Sequence, residues 1–448
     1  MVMQNCTIES TRKALKIAFD NRAYPQNEVV LKAVVAKRDQ LAHMLGFDSY
    51  AAFQLESQMA GTVERVQTFL QDLFARSSAK VVQEVNDLIA QLPSSVTLTA
   101  DGKVNPWDLA FLQAEYKKKY LSLDERKIAE YFPVQKSIDG LFAIYEQFFG
   151  IQFKQVPSPG TWHDDVRLIE VYSADGAVLH GYIFLDLYPR PNKYSHAAHG
   201  SIVPATMHQG RWIPSVSLVM ANFPKATADK PALFTRNDVS TFFHEFGHAL
   251  HAMLGRTELA GQAGTSVKRD FVELPSQMLE EWLWDRQILK MVSGHYKTGE
   301  PLSDELIDTI LKLKTFDTGN FVQRQVMLSA IALNYYLPGA DKDLYAILHG
   351  MNAQYRPQFA RHAADHFYAS WGHLTGYAAG YYGYLWSRVF AQDVFEQIKQ
   401  YGLLDHTIGQ KYIDTIIGRG GSADPNQLLY DFLGREPRSN AFFKDLGL

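Results

Sequence analysis

Two histidines four positions apart with a glutamate beside the first, His244-Glu245-Phe246-Gly247-His248, constrain this chain more than any other feature. On an α-helix, positions i and i+4 share a face, so the pair can hold one metal ion. Glu245 stands where a carboxylate can act as a base instead of binding the metal. The motif therefore demands a helix, and residues 237–254 supply one. Val239, Phe242, Phe243, Phe246, Leu250, Met253 and Leu254 recur with helical period as a single apolar stripe. Thr235 or Asn237 suits the cap and Asp238 the first turn. His244, His248 and His251 fall roughly 160° from the centre of the stripe, which turns them outward.

A catalytic metal site takes three protein ligands and keeps one position open. The metzincin pattern needs Gly at 251 and His at 254; the chain has His251 and Leu254, which excludes that class. The alternative is a glutamate near a second helix. Glu273 stands just before Leu274-Pro275-Ser276, where proline fits a first helical turn. Met278, Leu279, Trp282, Leu283, Ile288 and Leu289 then continue as a buried type of helix. Glu280 and Glu281 are rival ligands a turn or more farther in, and Glu273 is favoured over both. Gln277 and Asp270 can orient a ligand or serve as surface or capping groups. His251 is read as structural or as part of the surroundings of the ligands. Two histidines and one glutamate favour zinc over manganese or cobalt, as a single ion.

Residues 372–386 alternate glycine, alanine and tyrosine. Gly372, Gly376, Gly380 and Gly383 are expected to permit unusual backbone angles. Tyr377, Tyr381, Tyr382 and Tyr384 offer phenol donors, although aromatic-rich segments are more often core. Gly264-Thr265, in a glycine-rich stretch between the two metal-bearing segments, is either a substrate contact or a plain turn. Arg211 to Asn222 reads as a strand, either an edge beside the metal helix that can pair with an extended peptide or an ordinarily packed strand of the sheet.

Several classes are disfavoured by composition. A net charge of −4 gives no nucleic-acid signal, and no stretch is long and apolar enough to span a membrane. The lone Cys6 rules out an intrachain disulfide framework and suits a reducing, cytoplasmic compartment. The first twenty residues lack a signal-peptide core and read as helix from about Ser10. Along the chain, 1–155 is a helical region, with helices at Ala60–Leu92 and Leu109–Tyr120. Residues 156–225 are β-rich, with strands at Val166–Tyr172 and Val178–Leu187 around an Asp175-Gly176 turn. Residues 226–448 are helical again and carry the zinc site; no linker separates independent domains.

At these residues the chain resembles the thimet oligopeptidase and oligopeptidase A family of zinc metallopeptidases. The resemblance rests on His244 to His248, Gly264-Thr265 and Asp270-Phe271-Val272-Glu273-Leu274-Pro275-Ser276-Gln277, in order and spacing. Leu185 to Arg190, Lys193 to Ala197, Gly372 to Tyr377, Tyr381 to Trp386 and Phe432 to Arg435 extend it over essentially the whole chain. It implies a mainly α, zincin-like helical metallopeptidase region with a small β-sheet next to the metal-binding helix. It implies His244, His248 and Glu273 as metal ligands and Glu245 as the catalytic base. Tyr377, Tyr384 and His373 match residues that contact substrate and transition state, and Gly264 a substrate-side position. Two departures stand out. Family members carry a long helical N-terminal segment that walls a substrate channel, and by the resemblance this chain is expected to begin after it, near Gln4-Asn5-Cys6. Three residues separate His373 from Tyr377, a spacing similar to that of the mitochondrial intermediate peptidase branch.

The expected function is hydrolysis of peptide bonds in short unstructured peptides by a zinc-dependent metalloendopeptidase. The alternatives are a dipeptidyl carboxypeptidase of the same family, or a form that mainly binds peptide or needs a separate N-terminal segment as partner.

Overall fold

Long amphipathic helices build most of this protein, and a small sheet lies against one of them in the computed structural model, which describes residues 2–121, 124–158 and 160–448. The fold is mainly α and zincin-like, as the sequence predicts. Two compact units form, neither of them continuous in sequence. One comprises Met1–Leu123, Lys312–Trp386 and Lys444–Leu448; the other comprises Asp124–Leu311 and Ser387–Phe443. They cut across the three regions read along the chain, dividing 1–155 between them.

In the first unit, the helix Val63–Ile89 buries Val66, Leu70, Leu73, Ser77, Val81, Val85 and Leu88, a spacing of three and four that keeps one face inward. The Thr62 side chain caps it by accepting from the Arg65 N–H. It lies against the helix Thr318–Tyr335, which comes close because residue 319 is glycine: a Cβ there would stand 2.8 Å from the Val81 nitrogen. Glu84 caps that helix from outside, accepting the N–H groups of Gly319 at 3.2 Å and Asn320 at 3.0 Å. The helix Leu109–Tyr120 matches its sequence-based bounds.

The second unit holds the sheet. Its strands are β1 (Ile151–Val156), β2 (Arg167–Ser173), β3 (Leu179–Asp186), β4 (Ala198–Val203) and β7 (Ser215–Met220), in the order β1-β2-β3-β7-β4. All neighbours are antiparallel except β3 and β7. β2 and β3 are joined through Asp175-Gly176, where Gly176 has φ 71°. β1 starts at Ile151, ahead of the expected β-rich region. The expected strand Arg211–Asn222 is split at Pro214. Its first part, β6 (Arg211–Ile213), pairs with β5 (Thr206–His208), and its second part is β7. β7 is flanked on both sides, so of the two readings ordinary sheet packing holds, and the edges of the sheet are β1 and β4.

The motif helix spans Arg236–Met253. Thr235 caps it in a capping box, its hydroxyl accepting from the Asp238 N–H while the Asp238 carboxylate accepts from the Thr235 N–H. Its apolar stripe is buried as expected. Phe246 meets Phe142 at 5.6 Å and Phe153 at 5.5 Å between ring centroids, joining the helix to Val134–Phe149 and to β1. Among the described residues, no helix is long and apolar enough to cross a membrane.

Candidate metal centre

The motif helix and the segment after it come close because residue 247 is glycine. A Cβ on Gly247 would stand 2.8 Å from the Cα of Ser276, on the helix Leu274–Glu280. Pro275 sits in the first turn of that second helix and Glu273 occupies its cap position. This approach brings Glu273 to both histidines. Its Oε2 lies 3.2 Å from His244 Nε2 and 3.2 Å from His248 Nε2. His244, His248 and Glu273 each offer a ligand atom within 4.8 Å of the others. Two imidazoles and a carboxylate, nearly buried and convergent, fit a first-row divalent metal, for which such nitrogen and oxygen donors are suited.

The rivals are placed elsewhere. The Glu280 Oε1 lies 2.6 Å from His244 Nδ1, so this carboxylate holds the other side of the imidazole. The Glu281 carboxylate is buried, 3.6 Å from Arg388. The segment read as one long buried helix is broken: a 3-10 turn follows at Glu281–Trp284, and Asp285 caps a new helix, Arg286–Val292.

Electrostatics follow from burial and contact. Burial alone would lower the His244 pKa, but Glu273 and Glu280 reverse this and hold it well above the ordinary histidine value. Burial would raise Glu273; His248 and His244 overcome it and hold the carboxyl well below the usual range. Glu245 is 8% exposed. Burial raises its carboxyl, against the opposing pull of the two imidazoles and of a hydrogen bond from the His199 backbone N–H.

His199 was not singled out in the sequence. It lies on the edge strand β4, its ring centroid 6.2 Å from that of His248 and its Nε2 3.3 Å from Ser217 Oγ. Burial pushes it down to about 3, with His248 and His251 adding, so it is neutral. No alternation in Ala198–Val203 marked it in the sequence. His251 does not face outward as its helical angle suggested: it is fully buried, and neither ring nitrogen has a hydrogen-bond partner among the described residues. Burial takes it to about 3 as well. The sheet and neighbouring loops cover the face that an isolated helix would leave to water.

Gly264 has φ 51°, and a Cβ there would meet the Cα of Ala252 at 2.5 Å. Conformation and close packing on the motif helix explain this glycine.

The tyrosine loop belongs to the other unit. Its turns are His373–Gly376 and Ala378–Tyr382, leading into the helix Gly383–Tyr401. The expected freedom of its glycines is not used. Gly372 and Gly383 have φ of −58° and −54°, and Gly376 and Gly380 lie inside helical turns. The left-handed residue is Ala378, with φ 48°. Gln54, unremarked in the sequence, fixes it from both sides by donating to the Tyr377 carbonyl at 2.8 Å and accepting from the Ala379 N–H at 3.0 Å. Tyr377 and Tyr384 stack with centroids 5.1 Å apart, and His373 Nε2 is 3.3 Å from the Tyr384 hydroxyl. Tyr381 and Tyr382 are buried.

A second group, Asp20, His362 and Asp365, also brings ligand atoms together. There the Lys16 ammonium already sits 2.6 Å and 2.5 Å from the two Asp20 oxygens, and His362 Nε2 lies 2.7 Å from Oδ2. A resident cation neutralises that carboxylate.

A mainly helical chain with two imidazoles of one helix meeting a carboxylate at the head of the next, beside a small sheet, has the architecture of the zincin-like metallopeptidases. The description of peptidase family M3 matches residues 2–448. The chain belongs to that family. It is 35% identical over 472 residues to oligopeptidase A of Escherichia coli (strain K12), covering 100% of this chain and 67% of that protein. It is 36% identical over 467 residues to saccharolysin of Saccharomyces cerevisiae, covering 100% and 65%. The chain thus spans about two thirds of the length of the curated relatives it matches. In fold it is similar to PZ peptidase A with inhibitor 2, with TM-score 0.60 and 14% identity over 97% of this chain and 68% of that one. It is also similar to M32 carboxypeptidase from Deinococcus radiodurans R1, with TM-score 0.54 and 12% identity over 98% and 80%.

Proposed function

We propose that this chain is a zinc-dependent metalloendopeptidase acting on short, unstructured peptides. The observation that carries the reading is the convergence of His244, His248 and Glu273 with the buried Glu245 on the same helix. His244, His248 and Glu273 would hold one zinc ion, which when bound supplies a Lewis acid for the scissile carbonyl and acidifies a water. Glu245 takes a proton from the attacking water and returns it to the departing amine nitrogen. The family resemblance supports reading Tyr377 and Tyr384 as phenol donors to the developing oxyanion and the substrate. His373, next to the Tyr384 hydroxyl, sets its direction.

Peptide hydrolysis before and after chelation, with zinc returned, tests the reading. Chelation should abolish cleavage and zinc should restore it. Glu245→Gln should still bind zinc and lose about 10²- to 10⁴-fold in rate. Cleavage that survives chelation, or parental rates from Glu245→Gln, would refute it. Mapping products from peptides with free and with amidated C-termini separates internal cleavage from release of C-terminal dipeptides.

A further inference from the structure

We propose that the second unit carries a further ligand site, a cavity beyond the C-terminal end of the motif helix that takes a small apolar molecule bearing a carboxylate. The cavity holds about 600 Å³, within the usual range for small-molecule sites. Its floor is made by Phe149, Ile151, Met253, Leu254 and Ile413, all buried and apolar. Such a floor gains by covering with an apolar body and offers water nothing to bond. The metal ligands are absent from its walls, so it is distinct from the centre described above.

Beside Ser173 and Gln410, which hydrogen-bond to Asp175 and Asp414, three donor-bearing side chains line it. His180 sits in the wall, and neither of its ring nitrogens has a hydrogen-bond partner among the described residues. Burial, then the nearby charge of Arg256, lowers its pKa, so it presents a neutral ring with one N–H. The Trp212 indole lines the same space and is also without a hydrogen-bond partner among the described residues. Arg256 stands at the mouth with its side chain 48% exposed. One of its nitrogens lies 3.1 Å from Asp414, and its other N–H donors are unclaimed among the described residues. Against these donors the lining carries one carboxylate, Glu258. Its neighbour Arg256 has its main chain anchored, the backbone N–H donating to the Gly418 carbonyl at 2.8 Å. An apolar floor with an arginine and two ring N–H donors above it matches an aromatic or branched carboxylate, apolar end down and anion at the mouth.

Ligand-observed NMR titration of the metal-loaded chain with 2-naphthoate tests this, with 2-naphthalenemethanol as the uncharged comparison. Two exposed positions are varied: Arg256→Gln removes the cation, and Val178→Asp, at a rim residue 50% exposed, adds a negative charge. The expected result is saturable binding of 2-naphthoate with a Kd on the order of 0.1–1 mM. Each variant should weaken it by about tenfold, while the alcohol binds parent and Arg256→Gln alike. Absence of saturable binding at millimolar 2-naphthoate would overturn the proposal. So would binding unchanged in both variants, which would put the anion at the metal centre or elsewhere. The readout is binding alone, so it stands apart from any result on peptide cleavage.

Discussion

A histidine gives one ring nitrogen to a metal, and whatever holds the other nitrogen decides how the ring is aimed. For His244 that partner is Glu280, 2.6 Å from Nδ1. Glu280→Gln keeps the shape but replaces an anionic acceptor with a neutral amide. It should weaken metal binding by about 10- to 100-fold, read by competition with a chelator of known affinity. Parental affinity would show that Glu280 does not position the ligand. In the sequence Glu280 was a rival to Glu273. Glu273 heads the short helix and Glu280 ends it; the sequence favoured Glu273 as the ligand but gave Glu280 no partner. Residue 199 was harder still. Its backbone N–H reaches Glu245 only because β4 pairs with β7, a contact no local pattern encodes.

Between elements, the decisive feature is a missing side chain. Gly247 lets the motif helix lie against Leu274–Glu280, with the Cα of Ser276 2.8 Å from where a Cβ would stand. Gly247→Ala must push the two helices apart, because the obstructing atom is backbone. The expected cost is about 1–3 kcal/mol in stability, seen in denaturant unfolding, with weaker metal binding because Glu273 moves with its helix. A variant as stable as the parent, with unchanged metal affinity, would sink this account. The amphipathic pattern predicted the motif helix to within a residue, and its cap was among the residues named. At Arg211–Asn222 the pattern gave a strand and left an edge and ordinary sheet packing equally open. Periodicity identifies a strand but not its neighbours, and β7 has one on each side.

At the scale of the molecule, each unit draws on distant parts of the chain, and buried charge is one consequence. In the first unit, burial raises the Asp317 carboxyl to about 6 from an ordinary 3.8, with Glu84 adding. The sign follows from proton binding. Between about pH 4 and 6 the native state holds this proton and the unfolded state does not. Stability from this group is therefore greatest at low pH and falls as pH rises to about 6. Asp317→Asn removes the cost of ionisation. Relative to the parent, its stability should rise from pH 4 to 6 by on the order of 2 kcal/mol, then level off. Urea unfolding of both proteins across that range checks it, and parallel pH profiles would disprove it. Asp317 drew no attention in the sequence, since its environment comes from residues such as Glu84 and Arg356, far away along the chain.

The sequence by itself determined a helix over residues 237–254, within a residue of the observed 236–253, with His244 and His248 one turn apart. Both follow from local rules, the 3.6-residue period and the capping chemistry of Thr235 and Asp238. The tertiary structure decided which glutamate steadies His244 and which strands lie at the sheet edges. It also buried His251, which helical angle alone would have left in water. Those outcomes depend on how closely separate segments approach. That distance is set by packing, here by the absence of a Cβ at Gly247, and not by any pattern within one segment.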